Sequence, residues 1–203
     1  AYSLTNINSD LLKNCSQSRI ASPIMTFSYL ASIEVMDGFS EGWGFSISDL
    51  LFDLAGIMAA SFLHDDVQFK FSFHQTKWAN QRPELLGNNL GQQILKDYNG
   101  QTYWISMPFS RIDNYLPDFL MFSFGYGAEA MIYGSSYEQD IILPELNSYR
   151  QFYLSLDINW WKIINQTIIG KWKYIFYPLK YIKTPMPTIE LSQKKLKFHL
   201  FYF

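Results

Sequence analysis

Residues 122–132 read FSFGYGAEAMI and residues 151–160 read QFYLSLDINW. In the first stretch Phe122, Phe124, Tyr126, Ala128, Ala130 and Ile132 alternate with Ser123, Gly125, Gly127, Glu129 and Met131. In the second, Phe152, Leu154, Leu156, Ile158 and Trp160 alternate with Gln151, Tyr153, Ser155, Asp157 and Asn159. A period of two sends successive side chains to opposite faces of a strand, so each stretch predicts one apolar and one polar face. The same alternation runs through Val67, Phe69, Phe71 and Phe73, and again through Tyr103, Ile105, Met107 and Phe109. Six strands follow, at 66–75, 101–111, 119–133, 149–160, 187–192 and 195–203.

Several of these spans exceed the usual globular strand of about 5–6 residues. They suit the roughly 9–11 residues that a tilted strand needs to cross a bilayer. Apolar-out, polar-in strands of that length are the pattern of a transmembrane barrel, with lipid outside and a lumen inside. On this reading Glu129, Asp157 and Asn159 face the lumen. An antiparallel sandwich produces the same alternation and stays open as an alternative. Closed single-chain barrels start at about 8 strands, so residues 23–34 and a stretch near 85–98 are candidates for the missing pair. The expected fold is therefore mainly β with helices: an antiparallel outer-membrane barrel-like sheet of six to eight strands, an N-terminal helical segment and an amphipathic interfacial helix.

The composition agrees with a surface that partly faces lipid. Of 203 residues, 48% are hydrophobic, 18% aromatic and only 17% charged, against roughly a quarter charged in ordinary globular domains. A formal net charge of −2 excludes nucleic-acid binding by bulk electrostatics. The single cysteine, Cys15, excludes an internal disulfide framework. No uninterrupted apolar run reaches the roughly 18 residues of a single-pass helical anchor.

Charge is unevenly spread: residues 158–203 hold eight lysines against one acidic residue, Glu190. Between the fourth and fifth strands lies a segment with Trp161, Lys171, Trp172, Lys173, Tyr174 and Lys180 and no acidic residue. Aromatics mixed with lysines suit the headgroup layer, so 161–182 is predicted as a helix lying in the membrane interface. The organisation expected is a polar arm over 1–22, a glycine-loop and helix segment over 23–64, and the sheet with its interfacial helix over 65–203. Ser48 is predicted to cap the helix of the middle segment, with Asp49 placed where a carboxylate favours the positive end.

Catalytic motifs are missing: no nucleophile elbow, phosphate loop or dinucleotide fingerprint occurs. The densest polar constellation is Glu34, Asp37, Asp49 and Asp53. Asp49 and Asp53 share a helix face, and the four could hold a cation or a raised-pKa acid or serve helix and loop hydrogen bonds. No catalytic residue, metal or cofactor is assigned. The stretch carrying these carboxylates, IEVMDGFSEGWGFSISDLLFDLAGIMA over 33–59, resembles the YfiM-type family of predicted periplasmic or outer-membrane lipoproteins of uncharacterised function. Matching positions are Glu34, Asp37, Gly42, Trp43, Ser46, Asp49, Asp53 and Gly56. An Asp-Lys-x-x-His helix that usually stands upstream in that family is missing. The resemblance implies a helical 24–34, and residues 67–203 look like its long outer-membrane variants.

The chain ends LKFHLFYF over 196–203, which resembles the closing strand of bacterial outer-membrane barrels. The simple alternation, however, sets Tyr202 on the apolar row and Phe203 on the other. The function expected is thus a non-catalytic integral outer-membrane protein, a structural or accessory subunit. Its expected partners are outer-membrane lipid and a larger protein complex. The alternatives are a membrane-embedded hydrolase or lipid-modifying enzyme using the carboxylates, and a small channel or ligand-binding barrel.

Overall fold

A computed structural model describes residues 1–12, 18–39, 45–63, 66–133, 136–168 and 170–203, with side chains at 11, 18, 19, 37, 136–138 and 171 left aside. The chain divides into two compact units, Ala1–Asp65 and Asp66–Phe203.

The first unit is helical: α1 (Tyr2–Leu11), α2 (Ser18–Asp37) and α3 (Ile47–Phe62). The stretch 1–22, expected as a polar arm, thus carries α1 and the start of α2. Ser46, and not the expected Ser48, caps α3 by accepting the Asp49 N–H at 3.2 Å, and Asp49 lies in the first turn, where the helix dipole favours it. The helices meet through polar and small groups. Thr5, Ser22 and Thr26 are buried; Ser22 Oγ donates to the Thr5 carbonyl at 2.6 Å and Asn8 Nδ2 to Thr26 Oγ1 at 3.0 Å. Residues 24–34, where alternation also allowed a strand, are helical.

The second unit is an antiparallel sheet of β1 (Gln68–Phe73), β2 (Gln101–Pro108), β3 (Leu120–Glu129), β4 (Tyr149–Ile158), β5 (Met186–Ser192) and β6 (Lys195–Tyr202), in chain order. Short helices lie between them: α4 (Pro83–Leu86), α5 (Leu90–Lys96), α6 (Ser136–Ile142) and α7 (Trp160–Thr167). Register sorts the residues into rows across the strands. One row runs Lys70, Trp104, Gly125, Tyr153, Glu190, Lys197, and its neighbour Gln68, Ser106, Ser123, Ser155, Thr188, His199. Between them in register lies the opposite face: Phe69, Ile105, Phe124, Leu154, Ile189, Phe198.

The sheet is not closed into a barrel, which corrects the expected architecture. Among the described residues six strands are present, and the stretch near 85–98, a candidate strand, forms the end of α4 and α5, the latter capped by Asn89 accepting from the Gln92 N–H. Instead of β6, residues 181–183 lie against the outer edge of β1: the Phe71 N–H donates to the Tyr181 carbonyl at 2.8 Å and the Lys183 N–H to the Phe71 carbonyl at 2.9 Å. The supposed interfacial helix 161–182 is also not one helix. It is α7 followed by a 3-10 helix, Lys171–Lys180, and Gly170 separates them at φ +82, a conformation that side-chain-bearing residues avoid.

A bulge settles the chain end. Met186 pairs with Tyr202 while Thr188 pairs with His199, so β6 carries one extra residue there. The extra residue reverses the faces beyond it. Tyr202 points inward and is buried, whereas Phe201 and Phe203 are exposed. The simple alternation over 196–203 had placed these residues the other way round.

Candidate functional site

Burial in the sheet unit is inverted relative to an ordinary globular sheet. The inward face buries Lys70, Ser72, Ser106, Ser123, Asp157, Lys183 and Thr188. The outward face exposes Ile105 (41%), Phe124 (52%), Phe152 (52%), Leu154 (45%) and Phe198 (67%).

The inward charges are all hydrogen-bonded, as burial requires. Lys70 Nζ lies 2.9 Å from Asp157 Oδ2, with both side chains fully buried, and also donates to the Ile158 carbonyl at 2.8 Å. Ser106 Oγ donates to the same carboxylate oxygen at 2.9 Å, and the Thr184 N–H to Oδ1 at 3.2 Å. Lys183 Nζ donates to the Leu156 and Thr184 carbonyls, both at 2.7 Å, and sits 4.9 Å above the Trp104 ring. Burial lowers the Lys183 ammonium to about 8, with Asp157 opposing and Lys70 reinforcing the shift. Burial also lowers Lys70, again opposed by Asp157. The rest of the inward face is filled by Trp104, Tyr153 and Tyr202. The Tyr153 and Tyr202 rings stack at 4.6 Å, and the Tyr202 hydroxyl donates to that of Tyr153 at 2.7 Å. Asp157 and Asn159 are buried on this side, Asn159 Oδ1 accepting from Gln68 Nε2 at 3.0 Å; Glu129 accepts from the Tyr149 hydroxyl at 2.5 Å and from Gln151 Nε2 at 3.0 Å. They lie on the inward face of a sheet that is not closed into a barrel, so the expected lumen, and with it the channel and ligand-barrel alternatives, is corrected.

A second polar group lies toward the β5–β6 hairpin. Glu190 is buried and accepts from Ser192, Lys197 (2.9 Å) and His199 Nε2 (2.7 Å). Burial alone would raise this carboxyl, but the bonds from Ser192, Lys197 and His199 outweigh it and hold it at about 2. Its folded-state value lies below the unfolded 4.5, so its contribution to stability is complete above pH 4.5 and is lost as pH falls toward 2. Acid titration followed by circular dichroism should show this limb, and Glu190→Gln should flatten it. An unchanged acid limb in that variant would mean other carboxylates govern the transition.

The outward face carries a groove of about 410 Å³ lined by Phe109, Phe122, Leu154, Leu156, Ile189 and Phe198. The aromatic–basic segment follows β4. Trp161 packs edge-on to Tyr177 at 4.7 Å, and Trp172 is 72% exposed. Lys173 Nζ donates to Asn165 Oδ1 at 2.7 Å, and Lys180 Nζ lies 5.5 Å from the Tyr177 ring centre. The side chain of Lys171 lies outside the described residues.

The acidic constellation is only partly visible. Glu34 Oε1 accepts the Ser46 N–H at 2.5 Å, tying the end of α2 to the cap of α3. Asp49 is exposed in the first turn of α3 and Asp53 half-buried one turn on. The Asp37 side chain, and Gly42 and Trp43, lie outside the described residues, as do Cys15 and His64. Among the described residues no group of three or more His, Cys, Asp or Glu is placed to hold a metal ion.

Residues 1–65 match the family model described as predicted periplasmic lipoprotein (DUF2279). The match leaves residues 66–203 outside it. No curated protein and no solved structure matches the chain. No described helix is long and apolar enough to cross a membrane. The periplasmic lipoprotein match and the open sheet together overturn the expected integral outer-membrane barrel protein, and with it the membrane-embedded enzyme reading. Pattern alone had missed the buried partners: Lys70 and Asp157 each fall on a polar row, but nothing in a linear sequence pairs them across 87 positions.

Proposed function

We propose that this protein attaches to a lipid surface of the cell envelope without crossing it. It lays the outward face of its sheet against acyl chains and sets the aromatic–basic segment 160–183 at headgroup depth. The observation that carries this reading is the inversion of the sheet unit, with charges and hydroxyls paired inside and rows of Phe, Leu and Ile outside. Contiguous exposed apolar surface of this kind marks a contact surface. Trp172, Lys173 and Lys180 beside it supply the aromatic and cationic groups that favour an anionic interface. The family match over residues 1–65 supports a periplasm-facing surface.

Flotation of the full chain with vesicles tests the proposal. The protein should float with neutral phosphatidylcholine and more completely when phosphatidylglycerol is added. Lys173→Gln with Lys180→Gln should remove most of that increment, about 1 kcal/mol per lysine, and leave neutral binding unchanged. Protein that stays at the bottom of the gradient with both vesicles would overturn the proposal. So would a stoichiometric protein partner that shields the sheet face.

A further inference from the structure

The two edges of the sheet differ. On the β1 side the backbone is covered by residues 181–183, through the Phe71 N–H to the Tyr181 carbonyl and the Lys183 N–H to the Phe71 carbonyl. On the other side β6 pairs with β5 and, among the described residues, with no other strand. Exposure agrees. Phe69 and Phe71 on β1 are half-buried, whereas Phe198 is 67% exposed against 44% for Ile189, its partner in register.

The turn before β6 decides which backbone groups that edge presents. Gln193 and Lys194 both have positive φ, as a two-residue type I′ hairpin requires. Ser192 and Lys195 face each other across it, so the turn aims the Lys195 N–H at Ser192. Alternation along an antiparallel ladder aims Lys197 and His199 at β5 as well, and turns the N–H and C=O of Leu196, Phe198 and Leu200 outward. Against acyl chains, backbone groups left unpaired in this way are not tolerated.

The side chains say what fits there. Leu196-Lys197-Phe198-His199-Leu200 reads the same in residue class from either end. An antiparallel copy of the strand centred on Phe198 sets Phe198 against itself, Leu196 against Leu200 and Lys197 against His199. Apolar side chains then stay on the outward face and basic ones on the inward face. Self-complementarity of this kind is what a twofold interface demands. Charges on an edge strand ordinarily guard it against pairing, but Lys197 and His199 are each bonded to Glu190 behind them, at 2.9 and 2.7 Å. A second strand therefore covers no unpaired charge. Beyond Leu200 the bulge reverses the faces and ends the match.

We infer that β6 is a dimerisation edge, pairing antiparallel about Phe198 with β6 of a second copy of this chain. Because the β1 edge is already covered, the association stops at two. The apolar face of the joined sheet stays free for lipid. The inference leans on the lipid reading for the need to satisfy the edge, but it concerns the backbone of one strand and can fail separately.

The test is disulfide trapping in the full chain carrying Cys15→Ser, mixed with phosphatidylcholine vesicles and separated by flotation. Paired Phe198 residues would lie about 5.5 Å apart at Cα, within disulfide reach, so Phe198→Cys should give a covalent dimer on mild oxidation. Each Leu196 would lie opposite Leu200 and about 13 Å from its own counterpart, so Leu196→Cys should crosslink roughly fivefold less. Adding Leu200→Cys to Leu196→Cys should restore the dimer, and failure to do so would contradict the register. Floated protein in which Phe198→Cys stays monomeric, or in which Leu196→Cys crosslinks equally well, would overturn the pairing and leave the lipid reading standing. A Phe198→Cys dimer in protein that does not float would keep the pairing and sink the lipid reading, and a monomer that does not float would sink both.

Discussion

Lys70→Met should destabilise the sheet unit by about 3–5 kcal/mol, because it leaves the Asp157 carboxylate buried without its cation. The two side chains are fully buried and 2.9 Å apart, and Asp157 also holds Ser106 and the Thr184 N–H. Asp157 thereby joins β1, β2, β4 and the segment that runs along the β1 edge. The double variant Lys70→Met with Asp157→Leu should recover a large part of the loss, since it removes the charge as well as its partner. Urea unfolding followed by tryptophan fluorescence reads both. A single variant that unfolds at the wild-type midpoint would mean that the Asp157 charge is not desolvated.

Trp104→Ala should cost a similar amount, about 3–5 kcal/mol. Trp104 is 1% exposed, donates from Nε1 to Ser72 Oγ at 2.9 Å, and packs against Tyr153 and Tyr202 at 5.6 and 6.1 Å between ring centres. Its space exists because residue 125 is glycine: a Cβ there would come within 2.7 Å of Trp104 Cε3 and Cζ3. Gly125→Ala alone should therefore cost about 1–3 kcal/mol by overpacking. In the double variant the two losses should fail to add, because the new methyl enters the space the indole leaves. Strict additivity in a double-mutant cycle would separate the two residues and contradict the packing.

Both faces of the sheet were legible in the linear pattern. Ser123, Gly125 and Tyr153 fell on the polar rows and Phe124 and Leu154 on the apolar rows, as the strand pairing places them. Closure was not legible, because it depends on strand number and stagger, and six strands leave β1 to be edged by residues 181–183. The face of Tyr202 was also hidden: one bulge residue in β6 reverses the parity on which any alternation argument depends. In α2, apolar residues lie on most of the surface, so no single apolar stripe announced a helix; the helical signal was the hydroxyl pair Ser22 and Thr26, one turn apart and both buried. The break inside 161–182 was marked by Gly170 and Pro178, two residues that interrupt helices for different backbone reasons. The acidic constellation reads as a unit in the sequence, whereas among the described residues the bond that ties one of its members across the turn is that of Glu34 to Ser46.

On the proposed function the outward sheet face contacts lipid rather than water or protein. That contact is tested most directly by replacing Phe124, Phe152 and Leu154 together with Asn and comparing vesicle flotation with stability in urea. These side chains are half-exposed and sit on the opposite face from the Asp157 network. Flotation with phosphatidylcholine vesicles should fall at least tenfold while the urea midpoint changes little. Undiminished flotation of a folded triple variant would contradict it.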